Sequence, residues 1–105
     1  MVRGEVVWLP SPRDRRGREQ RGKRPGVVVQ ADELLGLSTV LVAPTSASAS
    51  PASFRPMIDI SGTATRVMID QLRVFDAESL GASLGRLGAA EVTALDDALA
   101  LVLGL

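Results

Sequence analysis

The chain has 105 residues, 46% of them hydrophobic, and balances 12 Lys and Arg against 12 Asp and Glu. That suits one domain over 1–105, whose core takes roughly two-thirds of the unfolded surface out of water. Cysteine and histidine are both absent, which excludes disulfides, thiolate metal sites, the commonest zinc ligand, the commonest general base and any two-histidine ribonuclease chemistry.

Glu5-Val-Val-Trp-Leu9 is a run of β-formers stopped by Pro10 and Pro12, and reads as a strand. Ser11 to Lys23 is polar, carries Gly17 and Gly22, and has no apolar period, so it reads as a long loop. Seven cations lie between Arg13 and Arg24 against Asp14 and Glu19, so this window carries +5 and the remainder of the chain −5. A basic segment on an otherwise acidic protein suggests a local contact with an anion such as phosphate; a solvated loop without a ligand is the plainer alternative.

Pro25-Gly-Val-Val-Val-Gln30 is the second strand, and its unbroken valines predict burial on both faces. Asp32 to Gly36 is a short helical turn or connector, and Ser38 to Ala43 a third apolar strand that runs into Pro44-Thr45-Ser46 and a small-residue loop to Ser53. Met57 to Ile60 and Thr65 to Ile69 form strands around a turn at Ser61-Gly62. Leu72 to Phe75 extends the latter strand beyond Asp70-Gln71. A capped turn from Asp76 to Gly81 and a short strand at Leu84 to Leu87 follow. The period then changes: Val92, Leu95, Leu99 and Val102 make one stripe on a helix that Gly104 ends. Short strands closed by one helix predict a mostly β, antiparallel barrel.

No apolar run is long enough for a membrane span, and the opening residues do not resemble a secretory leader, so a cytoplasmic protein without membrane contact is expected. No metal or cofactor is expected either. The carboxylates are scattered apart from the neighbours Asp32-Glu33 and Asp96-Asp97, and no phosphate-cradling GxxxxGK[ST] occurs. Arginine and hydroxyl chemistry remains. Arg24 stands where the basic loop meets a strand, and Thr45 stands where another strand gives way to loop. Together they could form a phosphate site; taken singly they also suit a surface cation and turn formers. Trp8 and Phe54 are the aromatics available for base stacking.

Several segments resemble, in order, those of the MazF/PemK family of toxin ribonucleases. Arg3-Gly-Glu-Val-Val-Trp-Leu9 is similar to its first strand, and Gly17-Arg-Glu-Gln-Arg-Gly-Lys-Arg-Pro25 to its G-x-E-Q-x-G-x-R-P loop. Ala43-Pro-Thr-Ser46 is similar to the end of its third strand, Asp70-Gln-Leu-Arg73 to its D-Q-[IL]-R strand, and Gly85-Arg-Leu87 with the following helix to its C-terminus. The resemblance implies an SH3-like antiparallel barrel of the CcdB/PemK type with a C-terminal helix, working as a homodimer. It implies sequence-selective, metal-independent cleavage of single-stranded mRNA, neutralised by a cognate antitoxin. The catalytic pair maps onto Arg24 and Thr45. Arg18, Glu19, Gln20, Arg21, Lys23, Ser46 and Gln71 map onto RNA-binding positions.

In the implied chemistry the ribose 2′-OH attacks the adjacent phosphorus, leaving 2′,3′-cyclic phosphate and 5′-OH ends. A guanidinium offers two parallel donors to phosphate oxygens, which lysine cannot. Pro44 directly precedes Thr45, where many members place an apolar residue between, so Ser46 is an alternative hydroxyl. A CcdB-like gyrase inhibitor without nuclease activity and an inactive RNA-binding module are the alternative functions.

Overall fold

The computed structural model describes residues 1–10 and 24–105. Within them lie seven strands and one long helix: β1 (Glu5–Leu9), β2 (Arg24–Val28), β3 (Thr39–Ser46), β4 (Met57–Ile60), β5 (Thr63–Val67), β6 (Arg73–Asp76), β7 (Ser83–Arg86) and α1 (Ala89–Leu103). All pairings are antiparallel, in the order β4-β5-β3-β2-β1-β7, with β6 also on β3. The sheet curls until its two edges face each other. Ile60 of β4 and Leu84 of β7 line one cavity, so the barrel is nearly closed.

The valines at the end of β2 and just beyond it divide as their alternation requires. Val27 and Val29 join a core with Val6, Ala43, Ile58, Val67 and Ile69, which α1 covers with Leu95, Ala98 and Leu99. Val28 joins the opposite face with Val7, Leu9, Val40, Val42 and Phe75, roofed by Leu35, Ala77 and Leu80 from connecting turns. Both faces are therefore dry, and the predicted two-sided burial holds.

β3 organises the barrel. One of its edges pairs with β2; the other pairs with β6 along Thr39 to Val42 and with β5 at Thr45 and Ser46. Thr45 faces Val67, so an unbroken register would set Val42 opposite Asp70; it faces Arg73, and three residues are looped out as a 3-10 turn (Ile69–Gln71). Leu72 to Phe75 thus does extend β5, with Gln71 on the interruption rather than in a strand. β3 also runs further than expected, through Pro44 to Ser46. Proline is tolerated there because its missing N–H would face the looped-out turn, where Met68 N–H reaches the Pro44 carbonyl at 2.8 Å.

Helix α1 starts at Gly88, whose N–H donates to Glu91 Oε1 at 2.8 Å, and ends at Gly104 with φ +72°. Glu91 Oε2 accepts the Asp59 N–H at 2.9 Å and so ties the helix start to β4. The predicted stripe needs one correction. Ala98 is buried beside Leu95 and Leu99, while Val102 is 39% exposed because the last turn passes beyond the sheet. The turn after Asp76 forms at Ala77–Ser79, but the Ser79 hydroxyl bonds the Asp76 carbonyl and the Asp76 side chain caps nothing. Among the described residues, no helix is long and apolar enough to cross a membrane.

Candidate active site

Arg24 opens β2, opposite Leu9, and its side chain is exposed. It lines two cavities. The larger, about 460 Å³, is bounded by Trp8, Pro25, Thr45, Ser46, Ala47, Thr63 and Thr65 together with the edge residues Ile60 and Leu84. A bulge in β7 aims Leu84 inward: Val6 faces Gly85 and Val7 faces Ser83, leaving Leu84 without a partner, while Gly85 takes φ +121°. The smaller cavity, about 150 Å³, lies among Arg24, Leu9, Pro10, Pro44, Gln71, Arg73 and Phe75. Arg24 stands on the rim common to both.

Thr45 and Ser46 both reach the larger cavity but in different environments. Thr45 is 1% exposed, and its hydroxyl donates to the Pro25 carbonyl at 2.7 Å. Ser46 is half-buried and accepts a bond from the Ser48 N–H at 3.3 Å. Gln71 is exposed and shares the smaller cavity with Arg24. Arg24, Thr45, Ser46 and Gln71 are thus gathered around one rim. Arg18, Glu19, Gln20, Arg21 and Lys23 lie outside the described residues.

Two contributors escaped the sequence reading. Arg73 stands across from Val42, with its guanidinium 4.9 Å from the Phe75 ring centre, and adds a second cation to the Arg24 rim. Its place directly after Asp70-Gln-Leu was the available signal. Arg55 makes a two-point ion pair with Asp70, at 3.2 and 2.9 Å, and donates to the Ser50 carbonyl. It fastens the loop after β3 to the turn bearing Gln71 and holds the Asp70 carboxyl below the usual carboxylate range. Among the described residues Glu5 is also held below that range, chiefly by the Ser83 hydroxyl of β7. Of the two aromatics offered for stacking, Trp8 lines the larger cavity, whereas Phe54 lines neither and packs near Arg55. No three carboxylates gather among the described residues.

Known proteins are similar to this chain in sequence and fold. A family model described as the PemK-like, MazF-like toxin of type II toxin–antitoxin systems matches residues 2–103. Endoribonuclease MazF9 of Mycobacterium tuberculosis is 34% identical over 116 residues, covering all of this chain and 98% of that one. The protein Rv3098A of the same organism is 44% identical over 73 residues, covering 70% of this chain and 68% of that one. An endoribonuclease from a mycobacterial species, solved in complex with its cognate antitoxin, superposes with a TM-score of 0.81 at 20% identity. That superposition covers all of this chain and 96% of the other. With a matched model over nearly its whole length, this chain belongs to the PemK-like, MazF-like toxin family of type II toxin–antitoxin systems.

Proposed function

We propose that the chain cleaves single-stranded RNA, messenger RNA above all, at short sequences and without a metal, using the Arg24 rim as its phosphate site. One observation carries this reading. Arg24 stands between a hydroxyl-lined cavity and a smaller one holding Gln71 and Arg73, so a backbone crossing the rim meets two guanidinium groups and several neutral donors. That is the composition phosphate recognition requires.

The reaction needs no protein nucleophile. The 2′-oxygen bonds to phosphorus and loses its proton, the P–O5′ bond breaks, and the 5′-oxygen takes up a proton. The products are a 2′,3′-cyclic phosphate and a 5′-OH. Arg24 binds the phosphoryl oxygens and offsets the negative charge they gain, and a hydroxyl at Thr45 or Ser46 adds a donor. Arg18, Glu19, Gln20, Arg21, Lys23 and Gln71 contact the flanking nucleotides. DNA, which has no 2′-OH, is not cut.

The chain acts as a homodimer in the cytoplasm, and a cognate antitoxin silences it by covering the rim. Leu101, Leu103 and Leu105 are exposed at the end of α1 beside a groove lined by Val29, Leu41 and Leu72, apolar surface suited to a second copy.

The test is mass spectrometry of mixed-sequence RNA incubated with the protein and EDTA, beside Arg24→Ala. Fragments ending in 2′,3′-cyclic phosphate with the wild type alone support the reading. Intact RNA over many sequences overturns it and favours inhibition of a protein target, which a gyrase supercoiling assay would then reveal.

A further inference from the structure

Two adjacent hydroxyls border Arg24, and their surroundings assign them different work. On the reading that the rim binds RNA phosphate, we propose that Ser46 is the hydroxyl that donates to the phosphoryl oxygen. Thr45 is then a positioning residue that holds β2, and with it Arg24, against β3.

The register separates them. Val28 faces Val42 and Gly26 faces Pro44 across β2 and β3. Side chains alternate along a strand, so Arg24 lies on the face of Gly26 and Val28, and Ser46 on the matching face of Pro44 and Val42. Arg24 and Ser46 share a face at the open end of the sheet. Thr45 and Pro25 belong to the other face, in line with Ala43 and Val27 of the helix-covered core.

Hydrogen bonding gives the same division. A hydroxyl has one proton to donate. That of Thr45 goes to the Pro25 carbonyl at 2.7 Å, at a position 1% exposed. Serving a phosphate would require giving up that bond at a buried side chain. The bond also stands where β2 and β3 need it. Their register ends at Gly26 and Pro44, and Pro25 has no N–H with which to continue. The Thr45 side chain closes the two strands one residue from Arg24. Ser46 has the opposite situation. It is half-buried and accepts the Ser48 N–H, and its other contact among the described residues is the Ser48 hydroxyl at a slack 3.4 Å. Its proton can turn toward an incoming oxyanion.

The experiment compares wild type, Ser46→Ala, Ser46→Thr, Thr45→Val and Thr45→Ser, measuring thermal midpoint, kcat and KM on single-stranded RNA in EDTA. Ser46→Ala is expected to lose about 100-fold in kcat, with KM and midpoint kept, the usual effect of removing one oxyanion donor; Ser46→Thr restores the rate. Thr45→Val lowers the midpoint and raises KM through Arg24, and Thr45→Ser, which keeps the bond to Pro25, restores both. Wild-type cleavage with an undiminished Ser46→Ala rate overturns the assignment of the donor. A Thr45→Val chain with wild-type midpoint and KM overturns the tether. If the wild type cuts nothing, the nuclease reading fails and this assignment fails with it.

Discussion

Gly26 is the tightest point beside the site, and adding one methyl group there tests how the barrel holds Arg24. A Cβ on Gly26 would stand 2.8 Å from Leu9 Cδ1, Leu9 Cδ2 and Val42 Cγ1. None of these neighbours can retreat cheaply. Val42 is fully buried, Leu9 is 5% exposed, and both pack with Val7, Val28, Val40 and Phe75. Overpacking of this kind costs about 1–3 kcal/mol. For a domain of this size each kcal/mol lowers the midpoint by about 4–8 °C, so Gly26→Ala should melt about 5–20 °C below wild type. Leu9 is also the cross-strand partner of Arg24, so a displaced Leu9 shifts the backbone that carries the guanidinium. Leu9→Val removes both δ-methyl groups. In the Gly26→Ala background it should recover part of the loss, although on its own it destabilises. A double-mutant cycle by urea or thermal denaturation measures that coupling. A Gly26→Ala chain within a degree of wild type, or strictly additive substitutions, would refute the reasoning.

Arg24→Lys keeps the charge but loses the two-pronged geometry, and should lower kcat by about 100-fold, close to Arg24→Ala; near-wild-type turnover in an RNA cleavage assay would show that charge alone suffices. Glu91→Ala removes acceptors from the Gly88 and Asp59 N–H groups and should cost about 1–2 kcal/mol in denaturant unfolding, with Glu91→Gln recovering part. Arg55 holds the Asp70 carboxyl below its ordinary value, so the stabilisation from this pair is complete above the unfolded value. It is lost as pH falls through the lowered folded one. Carboxyl titration by NMR should find a lowered midpoint for Asp70 that returns to normal in Arg55→Ala; an ordinary midpoint in the wild type would contradict the pair.

Local chemistry made much of the barrel legible. Three successive valines, Val27 to Val29, at the end of β2 required two buried faces, the change to a helical period located α1, and Gly104 marked its end. Family resemblance gathered Arg24, Thr45, Ser46 and Gln71 around one site, although their spacing along the chain could not. Pairing was the missing information. Pro44 looked like the end of a strand because the sequence does not reveal that its bare side meets a looped-out turn. The bond from the Thr45 hydroxyl to the Pro25 carbonyl was hidden because the two residues lie twenty apart in the chain. Arg73 and Glu91 act across strands that local patterns leave unassigned. Val102 fitted the stripe perfectly well, but periodicity cannot say how far the sheet beneath it extends.

The first strand of this barrel pairs with the last, and α1, made later still, closes the face on which Val6, Val27 and Ala43 lie. During synthesis these elements emerge after the other strands. Until residues 83–99 leave the ribosome, one wall of the larger cavity lacks Leu84 and the adjoining core has no lid. The cavity wall and the covered core are thereby completed only after the strands they join have been made.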